Sequence, residues 1–388
     1  MNVVFLSPHF PPNFYHFCLR LKEAGANVLG LAEEHFHALR DELRRSLTEY
    51  YRVDNMHDYD QMLRALGYFT HRHGKIDRID SQNEYWLELE AKLRTDFNIP
   101  GIRLEQINKI KRKSEMKRVF QEAGLKPARG RVCRTEGEIR EFAKECGYPL
   151  VAKPDSGVGA ARTYKIERQQ ELDQYINDPR DVDYIMEEFI SAPIVTFDGL
   201  TDADGNIVFC SSLRYNKGVM EAVNENTDIY YYFAREIEPV LQSAGTTIVK
   251  AFDLRERFFH FEFFMDEGGA KVTPMEVNMR PPGGLTLDMF NFANDFDCYK
   301  IWADMLVHGT AMTYPPPAHH VLYVGRKHHI PYALTHEEVL TNFQGLLIHH
   351  EAISGVFTGA IGNYGYILRH RELPPLIEAA ERIQQRSS

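Results

Sequence analysis

Short apolar runs and helical patterns alternate near the start of the chain. The run VVFLSP predicts a buried strand, a helical pattern follows over about Tyr15–Ala24, and a second apolar run over Asn27–Ala32 predicts another strand. Further on, Ser81-Gln-Asn-Glu84 fits a capping box that opens a helix over Tyr85–Phe97. This succession of strand, helix and strand predicts a parallel α/β layer over the first hundred residues.

The pattern changes from Tyr148 to about Met279, where β-rich segments alternate with glycine-marked turns. Ala203-Asp-Gly-Asn206 and Asp266-Glu-Gly-Gly269 have the composition of tight hairpin turns, so we expect the strands around them to pair antiparallel. The predicted fold class is therefore α/β, with α+β character in this central region.

A basic helical stretch, INKIKRKSEMKRVFQEAG, precedes this region and stops at Gly124. Most of its six Lys and Arg side chains are expected to lie on a solvated face. Thr135-Glu-Gly-Glu138 is a second candidate capping box, and it predicts a helix that ends near Cys146.

Charge and composition narrow the function class. The 388 residues carry 45 basic and 55 acidic side chains, a net charge of −10, without a long basic run. Because nucleic-acid binding needs a clustered positive surface, we expect no nucleic-acid partner. Apolar stretches stay shorter than the ~20 residues of a membrane span, and the first residues lack the basic start of a signal peptide. We therefore expect a cytoplasmic enzyme without a membrane partner.

Cysteines and histidines do not indicate a metal centre. The five cysteines include no CxxC pair, and adjacent histidines such as His328-His329 point to opposite faces of a strand. The loop after the first strand, SPHFPPNF, lacks glycine, and this disfavours a nicotinamide dinucleotide site there.

Two strand ends carry candidate nucleotide-binding residues. Lys153 ends the apolar run LVAK and precedes a turn with Gly157 and Gly159. Such a turn can surround a phosphate with N–H groups while the ammonium points at it, although it also occurs as an ordinary strand end. Glu187 and Glu188 end another apolar run, and they form either a solvated terminus or a hinge that binds the edge of an adenine ring.

Two later segments carry a candidate metal site. Residues two apart on a strand share a face, so His260 and Glu262 point together, and Glu276, Asn278 and Arg280 do so too. A carboxylate among the phenylalanines of FHFEFF is costly unless it is paired or bound to a metal. Glu262, Glu276 and Asn278 on neighbouring strands would offer an all-oxygen site that suits Mg²⁺. Arg280 could clamp a phosphoryl group, whereas each strand alone is equally an amphipathic strand with exposed charges.

Taken in order, these four segments resemble the ATP-grasp superfamily of carboxylate ligases. The forms HFEF and EVNMRPPGG most resemble its carboxylate–amine ligase branch, which includes L-amino acid (dipeptide) ligases, and the resemblance covers roughly Asn98 to Tyr299. It implies an N-terminal α/β domain over 1–104 and an ATP-grasp domain over 105–310. Within the latter, a small lid subdomain lies at about 124–190, and a C-terminal lobe over 311–388 packs on the grasp core.

The resemblance also implies a reaction. ATP phosphorylates a substrate carboxylate, and an amine then displaces phosphate from the acyl phosphate to form an amide. The implied cofactors are ATP and one or two Mg²⁺ ions, with Mn²⁺ as a substitute, and the partners are a small carboxylate and a small amine. We also expect that the protein can form a homodimer.

Carried over by position, the resemblance assigns roles to fourteen residues. Those implied are Lys113 and Lys153 for the ATP phosphates; Ser156, Gly157 and Gly159 in a glycine lid; Glu187 with the backbones of Glu188 and Ile190 for adenine; Glu262, Glu276 and Asn278 for Mg²⁺; and Arg280 with the backbone of Gly283 and Gly284 for the acyl phosphate and the tetrahedral state.

Several positions depart from the family pattern or stay open. Ile194 stands where the family often has a ribose-contacting Glu, and Asp198 on the same strand face is the candidate replacement. Arg162, in the abbreviated glycine loop, either contacts phosphate or faces solvent. His260 is a substrate-site group or a packed histidine, and Lys217 reaches the γ-phosphate or is an ordinary loop lysine. Two other functions remain: activation of bicarbonate or another small acid, and a non-catalytic nucleotide-binding sensor or partner subunit.

Overall fold

The computed structural model describes residues 1–157, 163–218, 226–309, 314 and 317–387. The N-terminal part is a four-stranded parallel sheet in the order β3-β2-β1-β4. Its strands are β1 (Asn2–Leu6), β2 (Asn27–Ala32), β3 (Glu49–Arg52) and β4 (Arg78–Asp80). Its helices are α1 (Tyr15–Glu23), α2 (Asp41–Ser46), α3 (Tyr59–His73) and α4 (Leu87–Asp96), with 3₁₀ turns at Phe36–Ala38 and Glu84–Trp86. The predicted parallel layer is confirmed.

Both faces of β1 are covered. Val3 and Phe5 belong to one apolar cluster, and Val4 and Leu6 belong to another on the opposite face. This explains why the strand is an unbroken apolar run. The strand order also places β1 beside β4. The connection after β1 runs towards β2, and the connection after β4 runs away from it, so a crevice lies between them at the carboxyl ends of the two strands.

The capping box predicted at Ser81–Glu84 is wrong. The Asn83 side chain accepts from the Tyr85 N–H instead, and α4 begins at Leu87. The Ser81 hydroxyl donates to the buried Glu90 carboxylate, and the Glu84 side chain lies inside the protein. Burial of these two polar groups therefore took precedence over the local capping pattern.

A second, antiparallel sheet forms a small subdomain in the order β5-β8-β6-β7. It is preceded by α5 (Leu104–Lys111) and α6 (Lys113–Glu122). Its elements are β5 (Gly130–Val132), α7 (Glu136–Cys146), β6 (Leu150–Pro154), β7 (Tyr164–Ile166), α8 (Gln169–Asn177) and β8 (Tyr184–Glu188). The capping box at Thr135 and Glu138 is confirmed. The solvated-face prediction fails at Lys113 and Lys117, which are both buried.

The largest sheet has eight antiparallel strands in the order β13-β12-β9-β10-β11-β14-β16-β15. Its strands are β9 (Ile194–Thr201), β10 (Ile207–Tyr215), β11 (Tyr230–Ala234), β12 (Phe258–Met265), β13 (Val272–Asn278), β14 (His320–Arg326), β15 (Leu347–Ala352) and β16 (Tyr364–His370). The accompanying helices are α9 (Pro239–Ala251), α10 (Thr286–Asn294), α11 (Cys298–His308), α12 (His336–Asn342), α13 (Thr358–Ile361) and α14 (Pro374–Ile383). Both predicted hairpin turns are confirmed, because β9 pairs with β10 and β12 with β13.

The C-terminal strands continue this sheet. β14 pairs with β11 and β16, so the C-terminal strands directly extend the large sheet. Pairing in this way satisfies the backbone groups that an open β11 edge would expose. One apolar cluster containing Phe17, Phe258 and Trp302 joins the N-terminal layer to the large sheet. Over the described ranges, the helices are too short or too polar to cross a bilayer.

Candidate active site

The β12–β13 hairpin places two carboxylates face to face. Glu262 lies directly opposite Glu276, and His260 lies opposite Asn278. Side chains in such positions have Cβ atoms about 5 Å apart, and like charges there repel each other. The pair is therefore favourable when cations surround it.

Each carboxylate has a cation on its outer side. The Lys113 ammonium is 3.3 Å from Glu276 Oε1, and His260 Nε2 is 3.3 Å from Glu262 Oε1. Burial alone would raise the pKa of Glu262, but His260 lowers it below its usual range. Glu262 is thus ionised at neutral pH.

The donor set fits a hard divalent cation. Asn278 donates from Nδ2 to the His260 carbonyl at 3.3 Å, which fixes its amide, and its oxygen lies 3.5 Å from Arg280 Nη2. Two carboxylates and one amide oxygen are ligands that Mg²⁺ accepts together with phosphate oxygens. If only His, Cys, Asp and Glu are counted, the described ranges hold no cluster of three with metal-binding geometry.

The His260 ring is bonded to Asp198, a residue with no exposed surface. Its Nδ1 is 2.5 Å from Asp198 Oδ1, and Thr196 donates to the other carboxylate oxygen. Burial alone would lower the pKa of His260, but Asp198 and Glu262 raise it to about 9. Asp198 is therefore engaged inside the sheet, with its two carboxylate oxygens bonded to His260 and Thr196. His260 is a packed cation that orients Glu262.

A second buried charge cluster ties β6 and β8 to α6. The Glu187 carboxylate forms ion pairs with Lys153 Nζ and Lys117 Nζ, each at 2.9 Å. Lys117 Nζ also donates to the Ala128 carbonyl at 2.8 Å. Burial would raise the pKa of Glu187, but the two lysines lower it. Burial would likewise lower the pKa of Lys153, but Glu187 and Glu276 raise it, so its ammonium is charged. For Lys117, burial prevails and its pKa is lowered.

Sequence reasoning missed Lys117. It lies one helical turn after Lys113, and residues four apart share a helix face, so this spacing was the available signal. The Glu187 carboxylate, predicted to bind adenine, is already bonded to both lysines. Glu188 pairs with Arg129 at 2.7 Å, and its backbone N–H donates to the Arg129 carbonyl at 2.9 Å.

The turn after β6 is anchored to the start of α6. Asp155 is buried and accepts from the Ser114 N–H at 2.8 Å and from the Ser114 hydroxyl at 3.0 Å. Lys113 Nζ donates to the Gly157 carbonyl at 3.1 Å. The backbones of Ser156 and Arg112 form an isolated antiparallel β-bridge. The structure thus brings Lys113, Ser156 and Gly157 together, with Asp155 as an anchor that the sequence did not suggest.

The remaining predicted residues are placed less closely. Gly159 and Arg162 lie outside the described residues. Ile190 follows the end of β8, and Lys217 follows β10, where its Nζ donates to Thr227 at 3.0 Å.

Arg280, Gly283 and Gly284 face a cavity of about 650 Å³. The other lining residues are Ser7, His9, Phe10, Pro11, Phe14, Glu33, Glu34, Met56, Gln82, Asn83, Glu84, Tyr85, Trp86, Pro281, Pro282, Val356 and Phe357. Most of them follow the carboxyl ends of β1, β2 and β4, where open parallel sheets bind ligands. The glycine-free SPHFPPNF loop therefore forms a cavity wall, a role that its sequence did not reveal.

Two features hold this cavity beside the β12–β13 hairpin. Buried Arg257 pairs with Asp80 at 2.7 Å and donates to the Met279 carbonyl at 2.7 Å, so the end of β4 is fixed beside Arg280. Gly284 has φ +65°, and a Cβ there would lie 2.8 Å from Ile361 Cδ1. The positive φ therefore favours glycine at this position.

Comparison with known proteins agrees with this geometry. Residues 146–288 match the family model of the ATP-grasp domain. The arginine-specific large chain of carbamoyl phosphate synthase from Bacillus subtilis is 24% identical over 198 residues, which are 49% of this chain and 18% of that protein. The large chain from Thermotoga neapolitana is 24% identical over 201 residues, 48% of this chain and 18% of that protein. The chain thus spans less than a fifth of these curated relatives.

Solved structures match over nearly the whole chain. An L-amino acid ligase from Bacillus licheniformis has a TM-score of 0.73 at 15% identity, covering 98% of this chain and 96% of that one. An N5-carboxyaminoimidazole ribonucleotide synthetase from Thermotoga maritima has a TM-score of 0.71 at 14% identity, covering 99% and 97%. The chain therefore contains an ATP-grasp domain, and its whole length has the fold of these two proteins. The predicted superfamily and α/β fold class are confirmed.

Proposed function

We propose that the protein is an ATP- and Mg²⁺-dependent ligase that activates a carboxylate as an acyl phosphate, releases ADP and transfers the acyl group to an amine. The observation that carries this proposal is the facing pair Glu262 and Glu276, which lies between a lysine-bearing turn and a substrate-sized cavity. Similarity to ATP-grasp ligases supports the same reaction.

The roles follow from the contacts. Glu262, Glu276 and Asn278 would hold Mg²⁺, which neutralises phosphate charge when bound. Lys153 and Lys113 present ammonium groups beside the turn after β6, where they would hold ATP phosphates, with Ser156, Gly157 and Gly159 as the loop over them. The strand end at Glu187, with the backbones of Glu188 and Ile190, would hold the adenine ring.

Acyl transfer would take place at the mouth of the cavity. Arg280, with the backbone of Gly283 and Gly284, would bind the transferring phosphoryl group and the oxyanion that follows. The amine nitrogen would attack the acyl carbon and phosphate would leave. Positioning and charge neutralisation suffice for such a reaction, without a protein nucleophile.

The alternatives are less well supported. Activation of bicarbonate needs little space, whereas the cavity of about 650 Å³ with aromatic walls suits a larger acid. A non-catalytic sensor would be expected to have lost metal ligands, yet all three stand in place. One or two Mg²⁺ ions, Mn²⁺ as a substitute, a homodimer and a cytoplasmic location belong to the proposal as well.

Phosphate release by the purified protein tests this function. With ATP and Mg²⁺, release should depend on both a carboxylate and an amine from pooled amino acids, short peptides and small acids, and bicarbonate should not replace the acid. Background release in every pool, by folded protein that still binds ATP, would favour the sensor.

A further inference from the structure

Three residues that line the cavity carry four buried polar atoms without a hydrogen-bond partner among the residues the structure describes. The atoms are both amide atoms of Gln82, Glu84 Oε2 and His9 Nδ1. Gln82 has no exposed surface, and Glu84 is 6% exposed. Buried polar groups in folded proteins are nearly always bonded, so several unbonded ones around one cavity point to a ligand.

The backbone at the same place is strained. Ser7 follows β1 with φ +48°, and Gln82 follows β4 with φ +54°. Residues other than glycine seldom adopt this left-handed conformation, and such strain collects at ligand sites. Both residues line the cavity.

Charges are separated along the cavity. Glu33 and Glu34 follow β2, whereas Gln82 and Glu84 follow β4, two strands away across β1. Neighbouring strands lie about 4.8 Å apart, so the two ends are about 10 Å apart. His9 lies in the field of Glu34 and Glu33, and Glu84 lies in that of Arg280. One end is thus acidic, and the other holds the cation Arg280.

Apolar side chains cover the space between the ends. Phe10, Phe14, Met56, Trp86 and Phe357 contribute to this wall. A fitting ligand has a cationic end, an apolar body with one donor and one acceptor for Gln82, and an anionic end. An extended peptide spans about 3.3–3.6 Å per residue, so three residues match the 10 Å.

We propose that the carboxylate substrate is a short peptide of about three residues with apolar side chains. Its ammonium group binds at Glu33 and Glu34, a peptide N–H and C=O pair with the Gln82 amide, and its terminal carboxylate lies at Arg280. A single amino acid is too short to reach both ends. The assignment rests on the proposed ligase function for the chemical step.

The reaction balances. The γ-phosphoryl P–O bond of ATP breaks, a bond forms between phosphorus and the peptide carboxylate, and ADP leaves. The amine then forms a C–N bond, the acyl C–O bond breaks, phosphate leaves and the amine proton passes to solvent. Peptide, amine and ATP thus yield a peptide extended at its carboxyl end, ADP and phosphate.

Binding without ATP tests the ligand separately from the chemistry. The chain has two tryptophans; Trp86 lines the cavity and Trp302 is fully buried, so Trp86 fluorescence reports occupancy. The probes are Leu, Leu-Leu, Leu-Leu-Leu and the N-acetyl and amide forms of the tripeptide. We expect the tripeptide to bind at least about tenfold more tightly than Leu, and either blocked form to lose about tenfold. Trp86→Phe should remove the signal.

Gln82→Leu should weaken tripeptide binding about tenfold and leave ATP binding unchanged. Gln174→Leu on exposed α8 is the matched control, and Gln82→Glu serves if the first variant does not fold. Equal affinity for Leu and the tripeptide, or indifference to N-acetylation, overturns the inference even if phosphate is released. Selective tripeptide binding without phosphate release retains the ligand and rejects the ligase.

Discussion

The β12–β13 hairpin, which carries the candidate metal ligands, and the cavity at the carboxyl ends of β1, β2 and β4 meet at Arg280. The two regions differ in whether their buried polar groups have partners. Around Glu262, Glu276 and Glu187, every carboxylate has a lysine or histidine beside it. In the cavity, the Gln82 amide has no partner within the described part of the chain. An unpaired buried charge costs far more than an unpaired amide. Buried charges must therefore be compensated in advance, whereas a buried neutral amide such as that of Gln82 can wait for its ligand.

The substitution Glu276→Gln should separate the two regions most clearly. It removes charge from the metal set but leaves the cavity intact, so we expect phosphate release to fall by at least about 10³-fold. Tripeptide binding, followed through Trp86, should not change. Glu267→Gln, in the exposed turn of the same hairpin, is the matched control. Substantial turnover by Glu276→Gln would show that the metal set is misassigned.

Lys153→Met should have the next largest effect. It removes the ammonium at the end of β6, so we expect a loss of about 10²-fold in kcat/KM for ATP. Lys144→Met, on the exposed side of α7, should behave as wild type. Steady-state kinetics with varied ATP measure the change. A near-normal kcat/KM would place the phosphates elsewhere.

The two regions also differ in how far the sequence predicts them. Glu262 and Glu276 could be placed on neighbouring strands in advance because a strand has a period of two and the Asp266–Gly269 turn joins the two strands. Their direct opposition could not be predicted, because it depends on a register shift between Glu262 and Phe263. Lys117 could not be assigned, since its reach to Glu187 depends on how α6 packs on the small sheet. His9 and Gln82 were missed because they follow strands far apart in the chain, and only the strand order brings them to one cavity.

Lys117→Met tests whether this buried lysine contributes mainly to the stability of the fold. Glu187 keeps Lys153 in this variant, so the carboxylate is not left unpaired, but the Ala128 carbonyl loses its donor. We expect a loss of about 1–3 kcal/mol in the free energy of unfolding, measured with urea. Activity at a temperature where the protein stays folded should fall less than in Lys153→Met. A loss of turnover equal to that of Lys153→Met would make Lys117 a ligand of ATP.

Glu84→Gln tests whether the Glu84 carboxyl is protonated in the folded protein, and it has the smallest expected effect. Burial raises the pKa of Glu84, although Arg280 opposes this. The unfolded carboxyl therefore loses its proton at lower pH than the folded one, and wild-type stability falls as pH rises from the ordinary carboxyl range through the raised pKa. Glutamine cannot ionise, so melting temperatures measured from pH 4 to pH 8 should fall less in the variant than in the wild type. Glu88→Gln, exposed on α4, should follow the wild-type curve. Parallel curves for Glu84→Gln and wild type would mean that the pKa of Glu84 is not raised in the folded protein, and that the carboxyl is ionised beside Arg280.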